Sequence, residues 1–222
     1  LGVGTTNLKG YWKLNNETAS GGGSGTGFVV DESGTVNQGE LENFTGNYWD
    51  YDAYSVDVYD GSDTRTTGTF TVTQGKVEGK ALSCLTLDGN GDHVDLASSF
   101  TMSHDGSSVA VWVKKDNATG NEDVIIGQAS DANQHWLKID TNGDIIFRDY
   151  PNDLHCDTAI TDTNWHHIVV TLSGDSNGAI YVDGISQTLS ANGIVGDPTF
   201  DQIGRRGSGT DPFDGKIRDL KI

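Results

Sequence analysis

The sequence predicts an all-β protein built as an antiparallel β-sandwich, and three observations lead to this prediction. Asn-Gly and Asp-Gly pairs, which favour the left-handed backbone of tight hairpin turns, recur along the whole chain. Between them lie short runs rich in β-branched and aromatic residues, and no helical period is sustained over a dozen residues. Most of the 32 acidic residues are aspartate, which forms turns readily, whereas glutamate would accompany helices.

Individual strands follow from the same patterns. Valine occupies every second position of the run 109–113, which is the alternation of a half-buried strand. The Asn-Gly pair at 142 predicts a turn into a strand at 145–147. The run 167–172 is predicted to pair with 179–182 across the polar residues between them. From residue 79 onward the chain therefore reads as one continuous core.

Charge excludes two classes of partner. The formal net charge is −18, and a protein of this charge repels both phosphate backbones and anionic membrane surfaces. No apolar run approaches the roughly 18 to 20 residues that a membrane helix needs. We therefore expect neither a nucleic-acid partner nor insertion into a membrane.

The segment 43–63 departs from the pattern because it alternates aromatic with acidic residues. One interpretation is a solvated loop or insertion. The other is a ligand-facing surface, since aromatic rings present flat apolar faces while aspartate accepts hydrogen bonds from sugar hydroxyls. Under the second interpretation the candidate ligand-binding residues are Tyr48, Trp49, Tyr51 and Tyr54.

A second polar and aromatic cluster follows the predicted strand at 145–147. Its candidate ligand-binding residues are Arg148, Tyr150 and Asn152. The alternative is that these loop residues pack only on their own scaffold. The Arg205-Arg206 pair is open to two interpretations as well, contact with an acidic ligand or neutralisation of neighbouring aspartates.

Several segments, taken in order, carry a family resemblance. They are GYWKLNNETASG near the start, DESGTVNQGEL at 31–41, GKALSCLTLDGNGDHVDL at 79–96, VAVWVKKD at 109–116, WHHIVVTL at 165–172, AIYVDGISQ at 179–187 and IGRRGSGTDPFDGKIRDLKI at the end. Together they resemble the laminin G-like group of the concanavalin A-like lectin and glucanase superfamily. Residues from about 43 to 75 do not match and are interpreted as an insertion.

The resemblance implies a jelly-roll sandwich of two antiparallel sheets, with the first and last strands adjacent. It implies binding rather than catalysis, and a structural calcium ion that ties an early loop to the final strand. The residues that match this metal site are Asp31, Asn37 and Asp219. The resemblance also implies that Trp12, Trp112 and Trp165 are buried in the core.

Catalytic motifs are missing from the sequence. Retaining glycan hydrolases of the superfamily carry Glu-x-Asp-x-x-Glu or a near variant on one strand, and none of the six glutamates has that spacing. The segments 88–92 and 140–144 mimic the start of a calcium loop, but neither continues correctly, and both are predicted to be hairpin turns. The six histidines show no zinc-ligand spacing. We therefore expect no enzyme.

These inferences give one leading hypothesis. Residues 1–222 form a single domain of a larger protein, a non-catalytic lectin-like module that binds carbohydrate and is stabilised by calcium. It is expected to be extracellular or on the surface of a cell or virus particle. The alternative is a structural or assembly module of a surface fibre, coat or adhesin that contacts protein. A third hypothesis is a glycan-degrading enzyme that uses an unusual aspartate pair.

Overall fold

The computed structural model describes residues 82–130, 135–157, 160–207 and 211–222, with side chains from residue 84. Before residue 82 it describes the backbone of seven short strands. The described residues form strands, turns and loops without a helix, and so none of them belongs to a helix that could cross a membrane. The all-β prediction is confirmed.

The strands are short, as the spacing of the turn signals predicts. The first ten are β1 Tyr11–Trp12, β2 Ala19–Ser20, β3 Phe28–Val29, β4 Gly39–Glu42, β5 Trp49–Asp52, β6 Val58–Tyr59, β7 Arg65–Thr66, β8 Leu82–Asp88, β9 His93–Thr101 and β10 Ser107–Lys115. The others are β11 Asp123–Gly127, β12 His135–Ile139, β13 Ile145–Asp149, β14 Asn152–Cys156, β15 Trp165–Leu172, β16 Gly178–Val182, β17 Ile185–Ser186, β18 Leu189–Asn192, β19 Thr199–Ile203 and β20 Asp214–Lys221.

Two antiparallel sheets form a jelly-roll sandwich. The eight-stranded sheet has the order β17-β16-β15-β10-β20-β8-β5, and β1 also pairs with β20. The ten-stranded sheet has the order β18-β14-β13-β12-β11-β19-β9-β4-β3-β2. Strands β6 and β7 pair only with each other among the described strands. The pairing of β1 with β20, in the register Tyr11 to Lys221, confirms that the first and last strands are neighbours.

The core lies between the sheets and follows the two-residue period of its strands. In β10 the valines Val109, Val111 and Val113 are fully buried, while the residues between them are partly exposed, as predicted. From the other sheet Leu137 and Phe147 are equally buried and belong to the same apolar cluster. This single cluster supplies the main stabilisation of the sandwich through the removal of apolar surface from water.

The predicted hairpins are confirmed with one exception. Strand β15 pairs with β16, and the turn at 140–144 joins β12 to β13. The prediction of a hairpin turn at 88–92 is wrong. Strand β8 belongs to the eight-stranded sheet and β9 to the ten-stranded sheet, so this loop carries the chain from one sheet to the other. Asp-Gly and Asn-Gly pairs supply left-handed backbone, which a crossing loop uses as readily as a hairpin.

The unmatched segment 43–75 contributes backbone to the fold. Its strand β5 pairs with β8, in the register Trp49 to Leu85, and forms one edge of the eight-stranded sheet. Its other strands are β6 and the paired β7. The insertion therefore includes a sheet edge as well as connecting residues.

A buried ion pair joins the two sheets. Lys115 at the end of β10 lies 3.0 Å from the carboxylate of Asp123 at the start of β11, and both side chains are almost completely buried. Asp123 also accepts a hydrogen bond of 3.1 Å from the backbone N–H of Asp214. Burial raises the pKa of Asp123, and the hydrogen bond and charge of Lys115 oppose this effect.

Removal of the Lys115 ammonium should destabilise the sandwich. Lys115→Met leaves the buried carboxylate of Asp123 without its counter-charge, and we expect a loss of about 3–5 kcal/mol in the free energy of unfolding. Urea denaturation measures this loss. The double variant Lys115→Met/Asp123→Leu removes both charges and should recover most of the stability. An equally unstable double variant would contradict this explanation.

The crossing loop contains a second buried acid. Asp92 is 7% exposed and lies beside Asp88. Its carboxylate accepts a hydrogen bond of 3.4 Å from the backbone N–H of Asp88. Burial, together with the negative charge of Asp88, raises the pKa of Asp92 to about 6. A raised carboxyl pKa means that ionisation of Asp92 costs stability in the folded state.

This loss of stability should develop between the pKa of Asp92 in the unfolded state and its raised pKa in the folded state. Below about pH 4 the carboxyl is protonated in both states and has no effect, and the loss grows as the pH rises to about 6 and is then constant. Asp92→Asn should therefore be more stable than the parent by up to about 3 kcal/mol at pH 7, and by little at pH 4. Urea denaturation at the two values tests this, with the exposed Asp116→Asn as control. An equal difference in stability between Asp92→Asn and the parent chain at pH 4 and at pH 7 would contradict this explanation.

Candidate functional site

All six predicted site residues in the first part of the chain lie outside the described side chains. Asp31, Asn37, Tyr48 and Tyr54 are outside the described residues. Trp49 and Tyr51 belong to β5, of which only the backbone is described. The predictions for these six residues therefore stay predictions.

The second predicted cluster forms the hairpin between β13 and β14. Arg148 is near the end of β13, Tyr150 is in the turn and Asn152 begins β14, so the structure does bring the three together. Tyr150 is 58% exposed, while Arg148 and Asn152 are partly buried. An exposed ring beside polar groups is compatible with a ligand contact.

Arg148 is already engaged by the protein. Its Nη2 donates to Asp153 Oδ2 at 2.6 Å, its Nε donates to the other oxygen, and these hydrogen bonds raise the pKa of Arg148. Its guanidinium also lies 4.8 Å from the ring centroid of Trp136. Arg206 approaches the same ring at 4.4 Å, so Trp136 is only 3% exposed. Cations cover this tryptophan, and a ligand has no access to its face.

One row of directly opposed residues crosses the ten-stranded sheet. Side chains that face each other on antiparallel strands project from the same face, which we name the outer face of this sheet. The row runs across β14, β13, β12, β11, β19 and β9 through Asp153, Arg148, Trp136, Gly127, Gln202 and Asp95.

A glycine in this row allows the chain to fold back over the sheet. A Cβ on Gly127 would lie 2.8 Å from the Cβ of Arg206 and would overlap the carbonyl oxygen of Arg205. Hydrogen bonds from Gly204 N–H to Ile125 O and from Gly207 N–H to Gln128 O hold this segment in place, at 2.9 and 2.8 Å. The missing side chain at position 127 thus determines where Arg205 and Arg206 lie.

The two arginines have different surroundings. Arg206 forms an ion pair of 2.7 Å with Asp211, which agrees with neutralisation of a neighbouring aspartate. Arg205 lines a groove between β9, β19 and the segment that follows β11. The groove has a volume of about 470 Å³ and is lined by Asp95, Leu96, Ala129, Asp201, Gln202, Arg205 and Gly207.

The groove combines fixed carboxylates with polar atoms that lack a partner. Gln202 Nε2 donates to Asp95 Oδ1 at 2.8 Å, and Ala129 N–H donates to Asp201 Oδ1 at 2.6 Å. Gln202 is 2% exposed, yet its Oε1 has no hydrogen-bond partner among the described residues. The same is true of the buried Nε of Arg205. Both atoms are closed to solvent, so the groups of the groove that a ligand can reach are the partly exposed side chains of Asp95, Asp201 and Arg205. Their carboxylates accept hydrogen bonds and the guanidinium donates them, which suits a ligand with hydroxyl groups.

Sequence reasoning did not find this groove. Asp95, Ala129 and Gln202 are far apart in the chain and meet only because β9, β11 and β19 are neighbours in the sheet. The Arg205-Arg206 pair, with two of the few basic residues, was the signal that marked the region.

The predicted burial of Trp12 stays a prediction, because its side chain lies outside the described ones. The prediction that Trp112 and Trp165 are buried in the core is wrong. Both are partly exposed on the outward face of the eight-stranded sheet, because they alternate with inward residues such as Val113. Trp112 stacks on His167 with ring centroids 4.9 Å apart, and the guanidinium of Arg218 lies 4.2 Å from the ring of Trp165. Burial, with the charge of Lys221, lowers the pKa of His167.

The predicted metal ligand Asp219 lies at an irregularity of β20. The register of β20 against β10 shifts between Ala110 and Trp112, which is a β-bulge. Asp219 is in the bulge, with a φ of 51°, and is partly buried. Bulges turn a side chain away from the regular alternation, so Asp219 departs from the inward and outward pattern of its strand.

The comparison with protein families matches most of the chain. The laminin G model described as concanavalin A-like lectin/glucanases superfamily matches residues 88–222. No curated protein matches the sequence.

Solved structures with a similar fold include carbohydrate-binding and toxin domains. Domain 4 of AbnA, a GH43 extracellular arabinanase from Geobacillus stearothermophilus, solved in complex with arabinotriose, has a TM-score of 0.60 at 16% identity, over 96% of this chain and 90% of that domain. The binding domain of botulinum neurotoxin serotype D/C VPI 5993 has a TM-score of 0.58 at 13% identity, over 98% of this chain. The chain spans only 48% of that toxin domain. At these identities the likeness shows the fold alone.

Proposed function

Because this chain belongs to the concanavalin A-like lectin/glucanases superfamily, we propose that it is a non-catalytic carbohydrate-binding module whose ligand occupies the groove around Arg205. The observation that carries the proposal is the groove itself, in which the carboxylates of Asp95 and Asp201 and the guanidinium of Arg205 line one space. The complex of AbnA domain 4 with arabinotriose supports carbohydrate as the ligand class. The structure of botulinum neurotoxin type C, whose cell entry depends on two ganglioside molecules, supports it as well.

Sugar hydroxyls fit the chemistry of this groove. A hydroxyl donates one hydrogen bond and accepts others, so it can donate to a carboxylate and accept from Arg205. Asp95 accepts a hydrogen bond from Gln202 and Asp201 accepts one from Ala129, and the further lone pairs of each carboxylate can accept from hydroxyls. Two carboxylates also repel anionic ligands, so the groove favours neutral sugars over sulfated or uronic acid sugars.

A binding role agrees with the shape of the site. No glutamate lines the groove among the described residues. The two aspartates of the groove accept hydrogen bonds from protein N–H groups. The chain also lacks the Glu-x-Asp-x-x-Glu motif of retaining hydrolases. We place the module outside the cell or on a cell or particle surface, where glycans are found, as AbnA is also extracellular.

We also propose that calcium stabilises the module near Asp219. The donor set proposed for it, the carboxylates of Asp31 and Asp219 and the amide oxygen of Asn37, consists of oxygen atoms, which calcium prefers. The position of Asp219 in a bulge supports this, because a bulge redirects the side chain out of the sheet pattern. Such an ion would join an early loop to the last strand.

Glycan binding should depend on Arg205. Arg205→Ala should weaken binding about tenfold or more, because a hydrogen bond to a charged donor contributes about 1.5–3 kcal/mol. A glycan array identifies ligands, and isothermal titration with arabinotriose as first probe measures affinity. Arg218→Ala, which removes a cation on the other sheet, is the matched control and should bind normally.

Two outcomes would contradict the groove as the site. An array without hits at high protein concentration would sink the carbohydrate proposal, and self-association of the same sample would favour the assembly module. Binding that Trp49→Ala removes and Arg205→Ala leaves intact would move the site to the insertion.

Calcium binding should be visible as thermal stabilisation. A chelator should lower the melting temperature of the parent chain, and Asp219→Asn should remove this dependence because it deletes one charged ligand. Differential scanning fluorimetry with and without calcium measures both effects. Equal melting of the parent chain in both conditions would refute the calcium proposal and leave the groove proposal untouched.

A further inference from the structure

A histidine and two carboxylates meet at the end of the β13–β14 hairpin opposite to Tyr150. Asp144 directly precedes β13, His155 lies in β14, and Asp157 directly follows β14. Ile146 is opposite His155 in the register. Since side chains alternate along a strand, Asp144, two residues before Ile146, and Asp157, two residues after His155, project from the same face as His155.

The distances between these groups are those of metal ligands. His155 Nε2 lies 3.7 Å from Asp144 Oδ2 and 3.7 Å from Asp157 Oδ1. This is too long for a hydrogen bond. Two atoms bound to one zinc ion at about 2.0–2.2 Å with tetrahedral angles are separated by about 3.4 Å. All three ligand atoms lie within 4.8 Å of one another, so one ion can reach them with small side-chain movements.

The imidazole nitrogen itself indicates a ligand. His155 Nε2 is completely buried and has no hydrogen-bond partner among the described residues, although the side chain as a whole is 28% exposed. A buried polar atom without a partner is rare and destabilising. This atom is enclosed between two carboxylates, where a cation would satisfy all three groups at once.

One of the carboxylates is fixed by a neighbouring strand. Ser190 in β18 donates from Oγ to Asp157 Oδ1 at 2.7 Å. Hydrogen bonds of this kind orient metal-binding carboxylates and reduce the entropy lost when the ion binds. Asp157 is otherwise exposed, so this bond explains how its carboxylate stays near His155.

We propose that Asp144, His155 and Asp157 form a binding site for a divalent transition metal ion, zinc above all. A nitrogen ligand with two carboxylates suits zinc, whereas calcium takes six to eight oxygen ligands. Three protein ligands leave a fourth position for water or another group. The site is separate from the groove and from Asp219, and it lies beside β18 at the edge of the ten-stranded sheet.

Titration of the metal-free chain with Zn²⁺ alone tests the proposal. Isothermal titration should give one site, and Co²⁺ alone should give the visible absorption of a four-coordinate ion. His155→Ala should weaken Zn²⁺ binding by at least about tenfold, and Ser190→Ala, which removes an orienting hydrogen bond, by about tenfold. His166→Ala is the matched control, because hydrogen bonds of 3.0 and 2.8 Å to Asp162 and Asp183 occupy both nitrogens of His166. Its affinity for Zn²⁺ should equal that of the parent chain.

Three results would overturn the proposal. These are absence of Zn²⁺ binding by the parent chain, unchanged binding by His155→Ala, and displacement of Zn²⁺ by an equal concentration of Ca²⁺. If His155→Ala does not fold, Asp157→Asn decides, because that side chain is 68% exposed and its replacement leaves the core intact. Normal Zn²⁺ affinity of a folded Asp157→Asn would also overturn the site.

Discussion

The connection between the two sheets depends on the ion pair and the hydrogen bond that the carboxylate of Asp123 forms. Asp123 begins β11 of the ten-stranded sheet, pairs with Lys115 from β10 and accepts the N–H of Asp214 from β20, so it contacts both sheets at one buried point. Asp214 in turn accepts a hydrogen bond from Asn117. Because the side chains of Lys115 and Asp123 are withdrawn from water, the positions of these two groups are restricted. These contacts fix the positions of β10 and β20 relative to β11.

The two outward faces of the sandwich present different chemistry. On the eight-stranded sheet the guanidinium of Arg218 lies against the rings of both Trp112 and Trp165. On the ten-stranded sheet the cations Arg148 and Arg206 cover Trp136 and are paired with aspartates. Next to them, the groove is lined by the carboxylates of Asp95 and Asp201 and by the guanidinium of Arg205. The first face therefore presents aromatic surface, and the second presents charged groups at its groove.

The sequence predicted local features well and distant ones poorly. The turn at 140–144 and the alternation of 109–113 depend on neighbouring residues, and both predictions were correct. The loop 88–92 was misread because its turn residues do not reveal which sheet the next strand joins. The groove around Gln202 is assembled from three strands that are remote in the chain, so no motif marked it. Asp144, His155 and Asp157 lie on one face because side chains alternate along a strand. The sequence did not reveal this shared face, because it depends on the register in which β13 pairs with β14.

The place of β20 in the eight-stranded sheet has a consequence for how the chain folds. This strand lies between β10 and β8 and also pairs with β1, yet it follows all of them in the chain. The sheet therefore cannot close during synthesis until β20 has been made, and the edges of β8 and β10 stay open until then. Closure of such long loops makes folding slow and strongly cooperative. A chain truncated before β20 would expose two unpaired edges, which are templates for aggregation.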